Sequence, residues 1–267
     1  MGRLSTISLN FPAPTGRLAG FGFKFSAGGA HSSRTMMLDE ITRLLEDTPA
    51  EATEAEYRAA VTVDNVLGKA TESNRRKALR HLHELYGLSP KVPVFVAYRE
   101  LTRFDPQSTA LLSLLVAWTR DPLLRSTTPP VLGAVEGAVV PGDALQQAVA
   151  VCYPNHYSDA SVAKIARYAA STWTQSGHLQ GHSKKARVRV QARPAALTLA
   201  LLLGYVSESY GEALFTSPWV QLLDLNPTQA KALALQAHRE ELMTVRAAGS
   251  VVEVTFPRFS RVLESDA

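Results

Sequence analysis

A single cysteine, Cys152, stands in 267 residues. That excludes an internal disulfide and places the chain in a reducing, cytoplasmic setting. Long hydrophobic runs are missing as well. The longest apolar stretches, Ala110 to Trp118 and Pro194 to Val206, fall short of the roughly 20 residues that span a bilayer. They read as buried core helices, and no membrane partner is expected. The first residues lack the apolar region of a signal peptide. Met1-Gly2-Arg3-Leu4-Ser5-Thr6 fits the loose myristoylation pattern, which is short enough to occur by chance.

Catalytic signatures are equally scarce. Gly68-Lys69-Ala70-Thr71 looks like the end of a P-loop, but that motif needs glycine where Val63 stands and Ser or Thr where Ala70 stands. The glycines between Phe21 and Gly29 lack dinucleotide-binding spacing, and there is no Gly-x-Ser-x-Gly elbow, His-Glu-x-x-His helix or acidic nuclease cluster. The chain is therefore expected not to be an enzyme and to need no cofactor. Two spacings invite a zinc reading, Cys152-x3-His156 and His178-x3-His182. His178 and His182 fall around a turn rather than on one helix face, and Cys152 reads as a buried free thiol beside Ala148, Val149 and Val151. No metal is expected.

The most informative absence is of one charge. From Ala160 to Ser207 there is no Asp or Glu, yet the segment holds Lys164, Arg167, Lys184, Lys185, Arg187, Arg189 and Arg193. A helix that needs only solubility mixes both signs, whereas a phosphate-binding surface excludes carboxylates. The overall charge is only +4 and the isoelectric point near 9.2, so distribution carries the argument. Asp39 to Glu56 holds seven acids against the lone Arg43, which gives a basic face and a separate acidic one.

What is present describes a folded helical protein. Hydrophobic residues make up 46% and charged residues 19%, the balance of a globular chain. The fold class expected is mostly α, with helix-turn-helix or winged-helix elements and a few short strands. Alternating aromatics at Phe21, Phe23 and Phe25 read as a short strand or an arm on the body. Helices are expected over Ser32 to Glu46, from Thr53 or Glu54 to Gly68, and over Glu72 to Tyr86 behind a Thr71 cap. Ser89-Pro90-Lys91-Val92-Pro93 reads as a linker, dividing residues 1–90 from a second helical domain at 91–267. In that second part come a helix at Gln107 to Thr119 and a helix pair at Gly142 to Tyr153 and from about Ser158. Then follow an apolar helix after Pro194 and a last helix from Asn226-Pro227 to Ala248. Gly249 is expected to end that helix, with a closing strand at Val251 to Phe256. No internal repeat or low-complexity tract appears.

Two basic helices carry the functional expectation. On Ala160 to Thr174, Val162, Ile165, Ala169 and Trp173 form one face, and Lys164, Arg167, Tyr168 and Ser171 gather on another. The helix runs through Ser176-Gly177-His178-Leu179 into the strand-like Lys184-Lys185-Ala186-Arg187-Val188-Arg189-Val190. Helix, glycine turn and basic hairpin, over about residues 142–192, form the order of a winged helix-turn-helix. On Thr71 to Tyr86, Ala78, Leu79, Leu82 and Tyr86 form the buried side, and Ser73, Arg76, Lys77, Arg80 and His83 line the other. The candidate DNA contacts are Arg75, Arg76, Lys77 and Arg80 on the first helix, with Lys164, Arg167, Tyr168, Lys184, Lys185, Arg187 and Arg189 on the second site. Replacing Lys184, Lys185, Arg187 and Arg189 together is expected to abolish most binding without unfolding the chain.

Three segments carry a resemblance. They are Phe25-Ser26-Ala27-Gly28-Gly29, the run Asp64-Asn65-Val66-Leu67-Gly68-Lys69-Ala70-Thr71-Glu72-Ser73-Asn74-Arg75-Arg76, and Ser171-Thr172-Trp173 with Gly177-His178-Leu179. Together they resemble the pattern of the BrxA family, accessory proteins of bacterial BREX phage-defence systems. The resemblance implies a mostly helical protein with helix-turn-helix or winged-helix elements, double-stranded DNA binding, and partner proteins in a defence assembly. The family is also likened to the RNA-binding antitermination factor NusB. Gly211 to Ala267 extends beyond the family pattern, and no catalytic residue carries over. Two other functions fit the residues: a scaffold or adaptor within a multi-subunit complex, and an RNA-binding regulator.

Overall fold

Two apolar helices lie at the centre of the larger core of this chain. A computed structural model describes residues 9–248 and 251–264. The myristoylation-like pattern at residues 1–6 and the helix stop expected at Gly249 lie outside the described residues. The chain is mostly helical, with two small two-stranded antiparallel sheets.

Its elements are α1 (Gly16–Phe21), α2 (Leu38–Glu46), α3 (Glu54–Thr62), α4 (Glu72–Tyr86), α5 (Pro93–Phe104), α6 (Thr109–Arg120), α7 (Pro122–Ser126) and α8 (Thr128–Leu132). There follow α9 (Gly142–Cys152), α10 (Asp159–Gln175), β1 (Leu179–Gln180), β2 (Ala186–Arg187) and α11 (Pro194–Val206). The chain closes with α12 (Pro218–Gln221), α13 (Pro227–Arg239), β3 (Thr244–Ala248), β4 (Val251–Thr255) and α14 (Ser260–Glu264).

Helix α11 is buried all round except at Tyr205, and α6 except at Ala110. A helix apolar on every face has no solvent side and must lie in the core. The two pack on each other, with α5 against both, α4 against α6, and α12 and α13 against α11. Local chemistry sets many of the boundaries. Thr53 and Glu56 form a capping box at α3, Asn226 and Gln229 another at α13, and Thr71 accepts from the Asn74 N–H at 3.2 Å.

Several expectations are corrected. The first helix begins at Leu38 rather than Ser32, because tertiary bonds hold the preceding segment out of helix. The Met36 N–H donates to Thr172 Oγ1 at 2.8 Å, the Tyr86 hydroxyl donates to the Met36 carbonyl, and Met37 takes φ 55°. Helix α3 stops at Thr62, whose carbonyl accepts from the Arg75 guanidinium at 3.0 Å. Of the alternating phenylalanines, Phe21 ends α1, while Phe23 and Phe25 continue as an arm and not a strand. Phe11, Phe23 and Phe25 cluster with Trp118 and Trp219 at ring separations of 5.3 to 6.4 Å. The last long helix ends at Arg239, since residues 244–248 pair with 251–255 as a hairpin.

The division at residue 90 is not a break in the core. One hydrophobic cluster runs from Leu18 to Phe259. Tyr86 stacks on Tyr98 at 5.4 Å across the expected linker, and Arg120 reaches back to the carbonyls of Gly22 and Glu84. Ser89 and Pro93 of that linker are themselves buried. No helix among the described residues is long and apolar enough to cross a membrane.

Candidate nucleic-acid interface

Helix α10 is placed from both ends. Ser158 caps its start, and α9 packs along it through Leu145 and Val149. Its buried side is Ile165, Ala166, Ala169, Ala170, Thr172 and Trp173, close to the face that periodicity picks out. A polar anchor lies beneath it. Fully buried His31 donates from Nδ1 to Asp121 Oδ2, and its Nε2 hydrogen-bonds Thr172 Oγ1, both at 2.8 Å. Burial alone would raise the Asp121 pKa, but His31 and the Leu124 N–H outweigh it and hold the carboxyl below its usual range. Gly29 closes this corner. Its φ is 147°, and a Cβ there would stand 2.2 Å from Asp121 Oδ1.

Beyond α10 the chain turns through buried His178. Its Nε2 donates to the Leu222 carbonyl at 2.8 Å, and Nδ1 lies 2.9 Å from the Ser176 hydroxyl. Desolvation pushes its pKa down to about 4. β1 and β2 then pair as an antiparallel hairpin, with Leu179 opposite Arg187 and Gln180 opposite Ala186. Val139 bridges Ala186 from the other side, so three short segments lie abreast. Gly181 enters the hairpin turn at φ 111°, and a Cβ there would meet the Lys184 carbonyl oxygen at 2.2 Å.

The acid-free window is acid-free in sequence but not in space. Arg187 is 3% exposed, and its guanidinium bonds Asp224 and the Val188 carbonyl. Asp224 also accepts from the Val190 N–H at 3.0 Å. The expectation that Arg187 contacts DNA is therefore corrected: it is an internal bolt between the hairpin and the turn before α13. Replacing it cannot leave the fold untouched. Arg193 pairs with Asp105 at 2.6 Å. Lys185 is half-buried and donates to Thr174 Oγ1 at 2.7 Å, which pins the hairpin to the last turn of α10.

What remains outward is a smaller set. Lys164, Arg167, Lys184 and Arg189 are exposed, and none of their side chains makes an ion pair among the described residues. Tyr168 is half-buried beside them, with Lys164 Nζ 5.9 Å from its ring centre. Glu136 was missed by the sequence reading. Its carboxylate lies 3.5 Å from the Arg189 backbone nitrogen, 53 residues away in the chain, and no local pattern could have announced it.

On α4 the four candidates divide in the same way. Arg75 is half-buried, and its guanidinium donates to the Thr62 carbonyl at the end of α3. Arg76, Lys77 and Arg80 are exposed around one shallow depression with Glu72 and Ser73, and Arg76 pairs with Glu72 at 2.5 Å. Leu79, expected in the core, is only half-buried and faces the gap between α3 and α4.

Cys152 is exposed rather than buried, because α9 buries only Leu145 and Val149. Both ring nitrogens of His178 are engaged within the core. Among the described residues, no group of three His, Cys, Asp or Glu gathers in metal-binding geometry. No protein-family model matches the chain, and no curated protein matches it in sequence.

Proposed function

We propose that this chain is a non-enzymatic double-stranded DNA-binding protein that engages the duplex through α10 and the β1–β2 hairpin. One observation carries the reading: four outward cations, Lys164, Arg167, Lys184 and Arg189, stand on a helix and the hairpin that follows it, and their side chains make no ion pair among the described residues. The order α9, α10, hairpin, with Val139 alongside β2, supports reading this segment as a winged helix. In such an arrangement α10 enters a groove while the hairpin lies on the backbone. Tyr168 and the cations on α10 would meet base edges and phosphates, and the hairpin cations phosphates alone. Following the resemblance to BrxA, its setting would be an accessory role in a BREX-type phage-defence assembly.

The test is fluorescence anisotropy with a random duplex of about 30 base pairs across a salt series. Four neutralised phosphates give a log-log slope of about −3 to −4. Joint replacement Lys164→Ala, Arg167→Ala, Lys184→Ala and Arg189→Ala is expected to flatten that slope while the melting temperature holds. A flat slope in the native protein, or unchanged affinity in the variant, overturns the proposal. Displacement by structured RNA of equal length at lower concentration would give the site to RNA instead.

A further inference from the structure

A groove of about 670 Å³ lies between α3 and α4, and its chemistry differs from that of the α10 surface. Its floor is apolar: Tyr57, Leu79 and Leu88 line it, and Val63 is 73% exposed at the end of α3. Its rim carries three cations, Arg58, Arg76 and Arg80, beside the exposed His83. Burial on one side lowers the His83 pKa. Arg80 has no acidic partner among the described residues, while Arg58 and Arg76 are held by Glu54 at 3.7 Å and Glu72 at 2.5 Å.

That combination argues against a phosphate backbone. An apolar floor offers a sugar–phosphate chain nothing to bury. A protein ligand that brings apolar side chains for the floor and carboxylates for the rim would satisfy both. The ion pairs Arg58–Glu54 and Arg76–Glu72 are exposed i, i+4 pairs of the kind worth only about 0.3–0.5 kcal/mol each, so an incoming carboxylate can exchange for them at small loss. The walls are two packed helices with no free strand edge, which selects a helix lying in the groove over an added strand. α4 has 15 residues and α3 nine, about 22 Å and about 14 Å of helix, so the two walls together seat about two to three turns.

We propose that the α3–α4 groove docks an acidic amphipathic helix of a partner protein, with Val63 and Leu79 under its apolar face and Arg80 on its carboxylates. The groove is thus a protein site separate from the α10 surface, and it stands or falls independently of DNA binding.

The experiment uses the full chain and a synthetic capped peptide of about 14 residues. Leu and Phe occupy positions i, i+3, i+4 and i+7, and Glu fills the rest. The control has the same composition scrambled to break the face. Backbone amide shifts should cluster on α3 and α4. Val63→Asp, at an exposed position, should weaken binding by about tenfold or more while melting temperature and DNA affinity hold, and Arg80→Gln should weaken it with the melting temperature unchanged. Four results overturn the proposal. They are no peptide binding, equal binding of the scrambled peptide, indifference to Val63→Asp, or shifts confined to α10 and the hairpin. A fifth result, displacement of the peptide by duplex DNA, overturns it too, since the groove would then belong to the nucleic-acid surface.

Discussion

Arginine works inside this protein as much as on its surface. Arg99 donates to the carbonyls of Leu45 and Thr48 at the end of α2, and Arg120 to those of Gly22 and Glu84 after α1 and in α4. Arg125 binds the carbonyls ending α6 and lies 3.8 Å over the Phe11 ring. A planar fork of donors suits these unsatisfied helix ends. Arg187 belongs with them. Arg187→Ala strands the Asp224 carboxylate, a loss of about 3–5 kcal/mol. Its melting temperature should fall well below that of Arg189→Ala, which should melt within about 2 °C of the native chain. His178 makes a second prediction at this scale. Its folded pKa of about 4 lies below the ordinary 6.5, so the unfolded chain binds the extra proton between those values. The stability it contributes is complete above about pH 6.5 and is lost as pH falls toward 4. Proton or nitrogen NMR of the ring should show it still neutral at about pH 5.5, and a charged ring there would contradict the core placement.

Elements whose limits rest on neighbouring residues were legible in the sequence. Thr71 and Gly87 bracket α4 as expected, Ser158 precedes α10, and prolines open α11 and α13. Elements whose limits rest on distant partners were not. The start of α2 depends on Thr172 and Tyr86, and β3 depends on pairing with β4. The β1–β2 hairpin combines both kinds. Its turn at Gly181 is local, while its attachment to α10 goes through Lys185 and Thr174. Gly181→Ala puts a Cβ onto the Lys184 carbonyl and costs at least about 1 kcal/mol within the hairpin. DNA affinity should drop several-fold, and the melting temperature should change little, because the turn lies outside the core. Unchanged affinity in the anisotropy titration would remove the hairpin from the binding surface.

At the scale of the molecule, one large hydrophobic cluster spans the Ser89 to Pro93 segment where two domains are expected to divide, with a smaller cluster at Leu123, Val149 and Ile165. The Tyr86–Tyr98 stack, the Tyr98–Ser113 hydrogen bond at 2.7 Å and the Arg120 contacts tie both sides of that segment together. A fragment of residues 91–267 should therefore fail to fold alone, and the full chain should unfold in one cooperative transition by calorimetry. Limited proteolysis should find Ser89 to Pro93 resistant. A stable, helical fragment would restore the two-domain picture. Acid should destabilise the whole in two stages, first through His178 below about pH 6.5 and then through Asp121. The Asp121 carboxyl is lowered in the fold, so its contribution is present above its unfolded value near 3.9 and is lost below it.

The sequence by itself determined the helical class, the two buried helices and the order of helix, turn and basic hairpin. Caps, prolines, glycines and apolar periodicity act over a few residues and survive without knowledge of the fold. Only the tertiary structure decided which cations face outward. Asp224 lies 37 residues from Arg187 and Asp105 lies 88 from Arg193, so charge pairing across the fold, invisible to any local window, turned a window of seven cations into a surface of four and revealed the groove beside α4.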